Sequence, residues 1–217
     1  MTLAHGASIV TDGLTMLLDV ANTRSYPGSG STWNDISGNR YSSTLINSPT
    51  YNATNDGYLS FDGSTQYASV TANIPLSGFT MICWIYSAGT QATYTGLVEN
   101  RQGANLWGVG FNANNQLGFQ YNLNINQVSL YVPNNQWCMV AMSANTTSVS
   151  IYLNQSSVTT AQSQTSFTFT GLLIGNDTYA SGRYFNGNFS SVLFYNTALT
   201  NAQVAQNFEA YRGRYGI

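Results

Sequence analysis

Short apolar runs that alternate with period two, each closed by a polar turn, dominate this chain from residue 14 to residue 195. Successive side chains of a strand point to opposite faces, so runs of this kind describe half-buried strands. Strands are expected at 14–20, 58–62, 79–86, 106–111, 117–121, 137–142, 148–153, 172–174 and 189–195. Asp12-Gly13, Asp56-Gly57 and Asp62-Gly63 are turn dipeptides between strand candidates. Trp107, Val109 and Phe111 share one face. After the turn at 112–116, Leu117, Phe119 and Tyr121 resume the pattern, which describes an antiparallel hairpin. The runs 79–86 and 137–142 are apolar on both faces, as in mid-sheet strands covered above and below.

One helix pattern stands out, at the C-terminal end. Thr200 to Gln203 fits a capping box, in which hydroxyl and amide satisfy each other's orphan backbone donors. Val204, Phe208 and Tyr211 then form one apolar stripe, and Gly213 is the expected stop. A length of 217 residues suits one domain, read as an N-terminal arm at 1–13 and a folded domain at 14–217. The arm is expected to order on a neighbouring molecule. Many strands and a single terminal helix predict an all-β fold: a two-sheet antiparallel jelly-roll sandwich with one short C-terminal helix. An immunoglobulin-type sandwich fits badly, because Trp84 directly follows Cys83 and must face the other side of its strand. Cys83 and Cys138 read as small buried hydrophobes, with a bridge between them as the alternative.

Composition decides which functions to exclude. Only 6% of residues are charged, against about 25% in an average protein, and all six cations are Arg. Such a chain builds no phosphate-binding stripe and no polybasic membrane patch, so neither nucleic acid nor membrane is expected as a partner. No run approaches the ~20 apolar residues of a membrane span, and residues 1–10 lack the pattern of a signal peptide. Amides and hydroxyls carry the polarity instead, 25 Asn among them. The sequons at Asn52, Asn145, Asn154, Asn176 and Asn188 are no more than that composition brings by chance.

Catalysis lacks its parts. Glycosidases need two carboxyl groups facing one bond. The only two Glu are Glu99 and Glu209, and Glu209 sits on the solvated side of the C-terminal helix. Glu99 with Asp177 is the remaining, disfavoured combination. His5, the single histidine, lies near the terminus and is a poor support for a nucleophile. The chain reads as a non-enzyme.

Several strings resemble one family. Leu59-Ser-Phe-Asp-Gly63 with Tyr67, the strand Phe79-Thr-Met-Ile-Cys-Trp-Ile85, and the hairpin Trp137-Cys-Met-Val-Ala141 with Val149-Ser-Ile-Tyr-Leu-Asn154 occur in order. Phe185-Asn-Gly-Asn-Phe-Ser-Ser-Val-Leu-Phe-Tyr195 and Ala198-Leu199-Thr200 close the set. Together they resemble laminin-G-like, concanavalin-A-like domains over about residues 57–212, with Gln155 where the family has Gly. Leu17-Leu-Asp19, Ser25-Tyr-Pro-Gly-Ser-Gly30 and Trp33-Asn-Asp-Ile-Ser-Gly-Asn39 resemble the variant seen in virion proteins of tailed phages and large aquatic viruses. Within these strings, Asp62-Gly63 reads as a tight turn and Asp35 with Ser37 as an Asx turn.

The resemblance implies a virion structural protein (a capsid decoration, cement, knob or tail component) in the virion, assembled in the host cytoplasm. Its partners would be other virion proteins, further copies of itself in a homo-oligomer, and host surface glycan. The alternative is a lectin module for host or polysaccharide attachment. Its sugar contacts would be Trp107 with Asn105 and Arg101, and Tyr94 or Tyr121. No cofactor is expected unless a calcium ion sits at a loop rim, where Asp62 or Asp19 would be the ligand.

Overall fold

The structure is a computed structural model that describes residues 7–100, 107–121, 124–163 and 167–217. It opens with β1 (Leu14–Asp19), β2 (Thr32–Trp33), β3 (Ser43–Ile46) and β4 (Thr50–Asn52). There follow β5 (Tyr58–Asp62), β6 (Tyr67–Leu76), β7 (Phe79–Ser87) and β8 (Gly96–Asn100). The middle holds β9 (Trp107–Phe111), β10 (Gln116–Tyr121), β11 (Asn124–Tyr131) and β12 (Trp137–Ala144). Last come β13 (Ser148–Leu153), β14 (Ser156–Ala161), β15 (Phe167–Ile174), β16 (Asn186–Tyr195) and α1 (Asn201–Tyr211).

Two antiparallel sheets face each other. One runs β14-β13-β12-β7-β16-β5-β4, with β1 also paired to β16; the other runs β11-β10-β9-β8-β15-β6-β3-β2. This is the expected jelly-roll sandwich with its short C-terminal helix. Every expected run is a strand, and the runs 58–62 and 148–153 match their strands end to end. The strands that pattern missed are polar or irregular. β14, Ser156–Ala161, is an edge strand with no buried face, and β6 carries Pro75 and a register shift opposite Phe169 and Gly171.

The inner faces meet in an aromatic core. Phe79 sits among Phe169, Phe167, Trp107 and Phe194, at centroid distances of 4.8, 5.4, 5.7 and 6.2 Å. A second core lies on the outer side of β7, β12 and β16. There Ile82, Trp84, Met139, Leu193 and Tyr195 are covered by Val204, Phe208 and Tyr211 of α1. Two-sided burial of β7 is thus explained by a sheet below and a helix above. Cys83 and Cys138 are both free thiols in the inner core. Burial pushes the Cys138 thiol up to about 12. Burial, with Cys138 adding to it, lifts Cys83 well above the ordinary thiol range.

Thr200 caps α1 with both halves of the expected box in place: its hydroxyl accepts from Gln203 N–H and Gln203 Oε1 accepts from Thr200 N–H. The stop is displaced. Beyond α1 a 3-10 turn, Arg212–Tyr215, carries the chain past Gly213 to Gly216, which takes the left-handed φ of 69°. Among the contacts that hold this extra turn, Tyr215 stacks on Trp84 at 4.4 Å, and Arg214 pairs with Asp19. The described part of the N-terminal segment, from residue 7 onward, is tied to its own chain. Val10 N–H donates to Asn207 Oδ1, Tyr195 Oη to Val10 O, and Gln206 Nε2 to Ser8 O. Among the described residues, no helix is long and apolar enough to cross a membrane.

Candidate functional site

The hairpin of β9 and β10 turns Trp107, Val109, Phe111, Leu117 and Phe119 inward. Alternation then leaves Gly108, Gly110, Gly118 and Gln120 on the outer face, where Gly110 pairs with Gly118 and Gly108 with Gln120. On the other side of β9, β8 sets Glu99 opposite Gly108 and Gly96 opposite Gly110. Three strands therefore share a floor almost bare of side chains.

Glu99 lies flat in that space, buried to 2% exposure. A Cβ at Gly108 would stand 1.8 Å from Glu99 Oε2 and 2.9 Å from its Cα; one at Gly96 would stand 2.8 Å from Cγ. Only glycine leaves room for the carboxylate. Gly108→Ala is expected to destabilise the fold by about 1–3 kcal/mol, as overpacking of a filled site does. Urea unfolding checks it, and an unchanged midpoint would mean that Glu99 lies elsewhere.

The rim comes from two loops. The segment after Gly175 folds back over β8, with Arg183 O accepting from Gly96 N–H at 3.4 Å and from Asp177 N–H at 3.3 Å. That places the Arg183 guanidinium between two tyrosines, 4.7 Å from the Tyr94 ring and 5.3 Å from that of Tyr179. Tyr94 holds a left-handed φ of 67°, rare for a bulky residue and common where a local geometry is enforced. Asp177, fully buried, accepts from Arg183 Nη1 at 2.6 Å, Gln120 Nε2 at 3.3 Å and Tyr179 N–H at 2.9 Å.

Beneath the rim lies a small pocket lined by Tyr94, Thr95, Glu99, Gly110, Gly118 and Gln120. Two of its polar atoms, Thr95 Oγ1 and Gln120 Oε1, are buried without a hydrogen-bond partner among the described residues. Buried polar groups are nearly always satisfied, so a pair of orphans in one pocket marks a place for an incoming polar group.

The residues expected to touch sugar divide accordingly. Tyr94 is on the rim and 37% exposed. Trp107 is a correction: it is fully buried, packed on Phe79 and Phe167 at 5.7 and 4.9 Å, and supports the groove from below. Arg101 and Asn105 lie outside the described residues, as does the side chain of Tyr121. Thr95, Gln120, Tyr179 and Arg183 were missed by sequence reasoning. The glycines at 108, 110 and 118 signalled a groove on the hairpin's outer face, though not which residues close it.

Asp19, Asp35 and Asp62 serve the fold. Asp19 takes both Arg214 nitrogens, at 2.9 and 3.0 Å, and also accepts from Ala21 N–H. Asp35 accepts from the N–H of Leu17, Ser37 and Tyr41, which is the expected Asx turn stitched to β1. Burial is the largest single influence on Asp62 and raises its pKa, but the N–H groups of Thr65, Ser64 and Gln66 and the Thr65 hydroxyl together outweigh it. They hold the carboxyl well below its ordinary range. Among the described residues, no three His, Cys, Asp or Glu side chains are grouped to share a metal ion.

The family described as the concanavalin A-like lectin/glucanases superfamily matches residues 61–205. No curated protein matches the sequence. Domain 4 of AbnA, an extracellular GH43 arabinanase from Geobacillus stearothermophilus solved with arabinotriose, superposes with a TM-score of 0.72 at 15% identity, over 90% of this chain and 98% of that one. The binding domain of botulinum neurotoxin serotype D/C also gives 0.72, at 14% identity, over 93% of this chain and 53% of that one. Trypanosoma rangeli sialidase with sialic acid gives 0.72 at 14% identity, over 99% and 35%. The chain thus spans nearly all of the arabinanase domain, about half of the toxin domain and about a third of the sialidase. At these identities the likeness is one of fold.

Proposed function

The chain belongs to the concanavalin A-like lectin/glucanase superfamily, and from that premise we propose that it is a non-enzymatic module that grips glycan in the groove beside Glu99. The observation that carries this reading is the pair of unpartnered atoms, Gln120 Oε1 and Thr95 Oγ1, under the Tyr94–Arg183–Tyr179 rim. An unsatisfied buried polar group costs about 1–3 kcal/mol, which a bonded sugar hydroxyl recovers. Tyrosine faces offer the apolar side of a sugar ring its cover, with Tyr179 64% exposed.

Asp177 supports binding over hydrolysis. Its oxygens are engaged by Arg183, Gln120 and the Tyr179 N–H, so it braces the rim and is not at liberty to serve as the second carboxyl beside Glu99. The test is to probe a glycan array with the full chain and to assay every bound glycan for new reducing ends. Binding without cleavage is expected. Release of reducing ends would make the module an enzyme, and an empty array would remove the glycan role.

A second reading places the module on a virus particle, as a repeated decoration or tail component that also contacts host surface glycan. It is favoured by the stretch from Leu17 to Asn39, which is built into the domain through Asp35, and by a chain with only 6% charged residues. Contacts made by neutral amides and aromatic rings are little affected by salt. Many copies on a symmetric particle favour a homo-oligomer. Mass spectrometry of purified virions would find this chain at a fixed ratio to the capsid protein; absence from particles sinks the idea.

A further inference from the structure

We infer that β14 is a homodimer interface, at which two copies of the chain pair their Ser156–Ala161 edges antiparallel about a two-fold axis at Thr159. The inference is independent of the glycan and virion readings. A sheet edge offers its unpaired N–H and C=O groups to any strand that fits, and proteins ordinarily blunt such edges. Among the described residues the other edges are blunted. β2 is two residues long, and β4 is three long and follows Pro49. β1 is covered by the 35–39 turn, where Asp35 Oδ1 accepts from Leu17 N–H and the side chains of Ser37 and Asn39 donate to Thr15 O. β11 is bulged: the step from Gln116 to Gly118 on β10 answers to the longer step from Tyr131 to Gln127 on β11.

β14 has none of these devices. Its ladder with β13 runs from Ser156 to Ala161 without a shift, and it holds no charge, Pro or Gly. The two-residue turn Asn154-Gln155 joins the strands, so Leu153 and Ser156 close the hairpin as a hydrogen-bonded pair. Alternation from there turns the backbone groups of Ser157, Thr159 and Ala161 away from β13, and all three residues are exposed. The 2.8 Å approach of the Ser150 and Thr159 hydroxyls agrees, because side chains stand closer in pairs that exchange no backbone bonds.

Charge, or its absence, selects a second copy as the occupant. From residue 102 to residue 176 the chain has no Asp, Glu, Lys, Arg or His. That stretch supplies β12, β13 and β14, and also β11, which lies beside β14. At the turn, Gln155 donates to Glu209, which Arg212 already pairs. Two copies set edge to edge therefore bring no like charges together from these strands. An axis at Thr159 uses all three outward residues and sets Val158 opposite Thr160 of the second copy, a β-branched pair suited to a pleated surface. A contact of one patch with itself closes at two copies.

Sedimentation velocity tests this with the full chain, Thr159→Lys and Thr159→Pro. A single ladder is smaller than a standard interface, so the parent should pass from one chain to two between roughly 1 and 100 μM. Thr159→Lys sets two cations face to face at the axis, and Thr159→Pro removes an N–H that only the second copy uses. Each is expected to weaken the dimer at least about tenfold, while Thr159→Lys, diluted to single chains, melts as the parent does because an exposed side chain has changed. A parent that stays single up to about 100 μM overturns the inference. So does a dimer that either folded variant leaves intact.

Discussion

Phe79→Ala should remove about 3–5 kcal/mol of stability, the usual cost of emptying a buried phenylalanine site. Phe79 is fully buried where the two sheets meet, in contact with Trp107, Phe167, Phe169 and Phe194. No single neighbour can collapse into the hole without leaving another. For a chain of this size each kcal/mol moves the melting temperature by about 2–4 °C, so a drop on the order of 10 °C is expected in calorimetry. Because domains are stable by only about 5–15 kcal/mol, part of the population should be unfolded at physiological temperature. A loss below about 1 kcal/mol would mean that the inter-sheet core lies elsewhere.

Trp84→Ala should cost a similar amount, about 3–5 kcal/mol, yet fail in a different place. Trp84 faces away from Phe79 and stacks on Tyr215, Phe208 and Tyr211 at 4.4, 5.7 and 6.3 Å. Its removal takes away the seat of α1 and of the 3-10 turn behind it, while the inter-sheet core keeps every ring. Amide exchange should therefore accelerate through Asn201–Tyr211 well before it does in β7 or β12. Trp84→Phe, which retains a stacking face and deletes an indole N–H that has no partner, should restore most of the protection. Uniform acceleration across both sheets would show that the helix is not a separate layer.

These two neighbours in one strand show how much was legible in advance. That Cys83 and Trp84 face opposite ways follows from alternation, and so does a strand buried on both sides. The capping box was equally plain, since all of its atoms belong to residues 200–203. Alternation also held the answer for Trp107: it shares a face with Val109 and Phe111, and those belong in the core. Reading it as a sugar platform put residue type ahead of position. The complementary face, Gly108 and Gly110 beside Gly118 and Gln120, was the better signal.

Which residues complete the groove was beyond reach of such reasoning. Thr95, Gln120, Asp177 and Arg183 are drawn from segments up to 88 positions apart (95 to 183), and nothing local says that they meet. The extension of the C-terminal turn beyond Gly213 is of the same kind, because it depends on Asp19 and Trp84 far upstream.

From its residues alone this chain is an all-β, charge-poor protein with one capped terminal helix, because strand alternation, helix period and capping each depend on neighbours within a few positions. The pairing of β8 with β9 and β9 with β10, and the loop from β15 that lays Asp177 and Arg183 across them, were decided only by the tertiary structure. Register between distant strands is set by which faces two whole sheets can bury against each other. That one condition brings Glu99, Gln120 and Asp177 to a common groove.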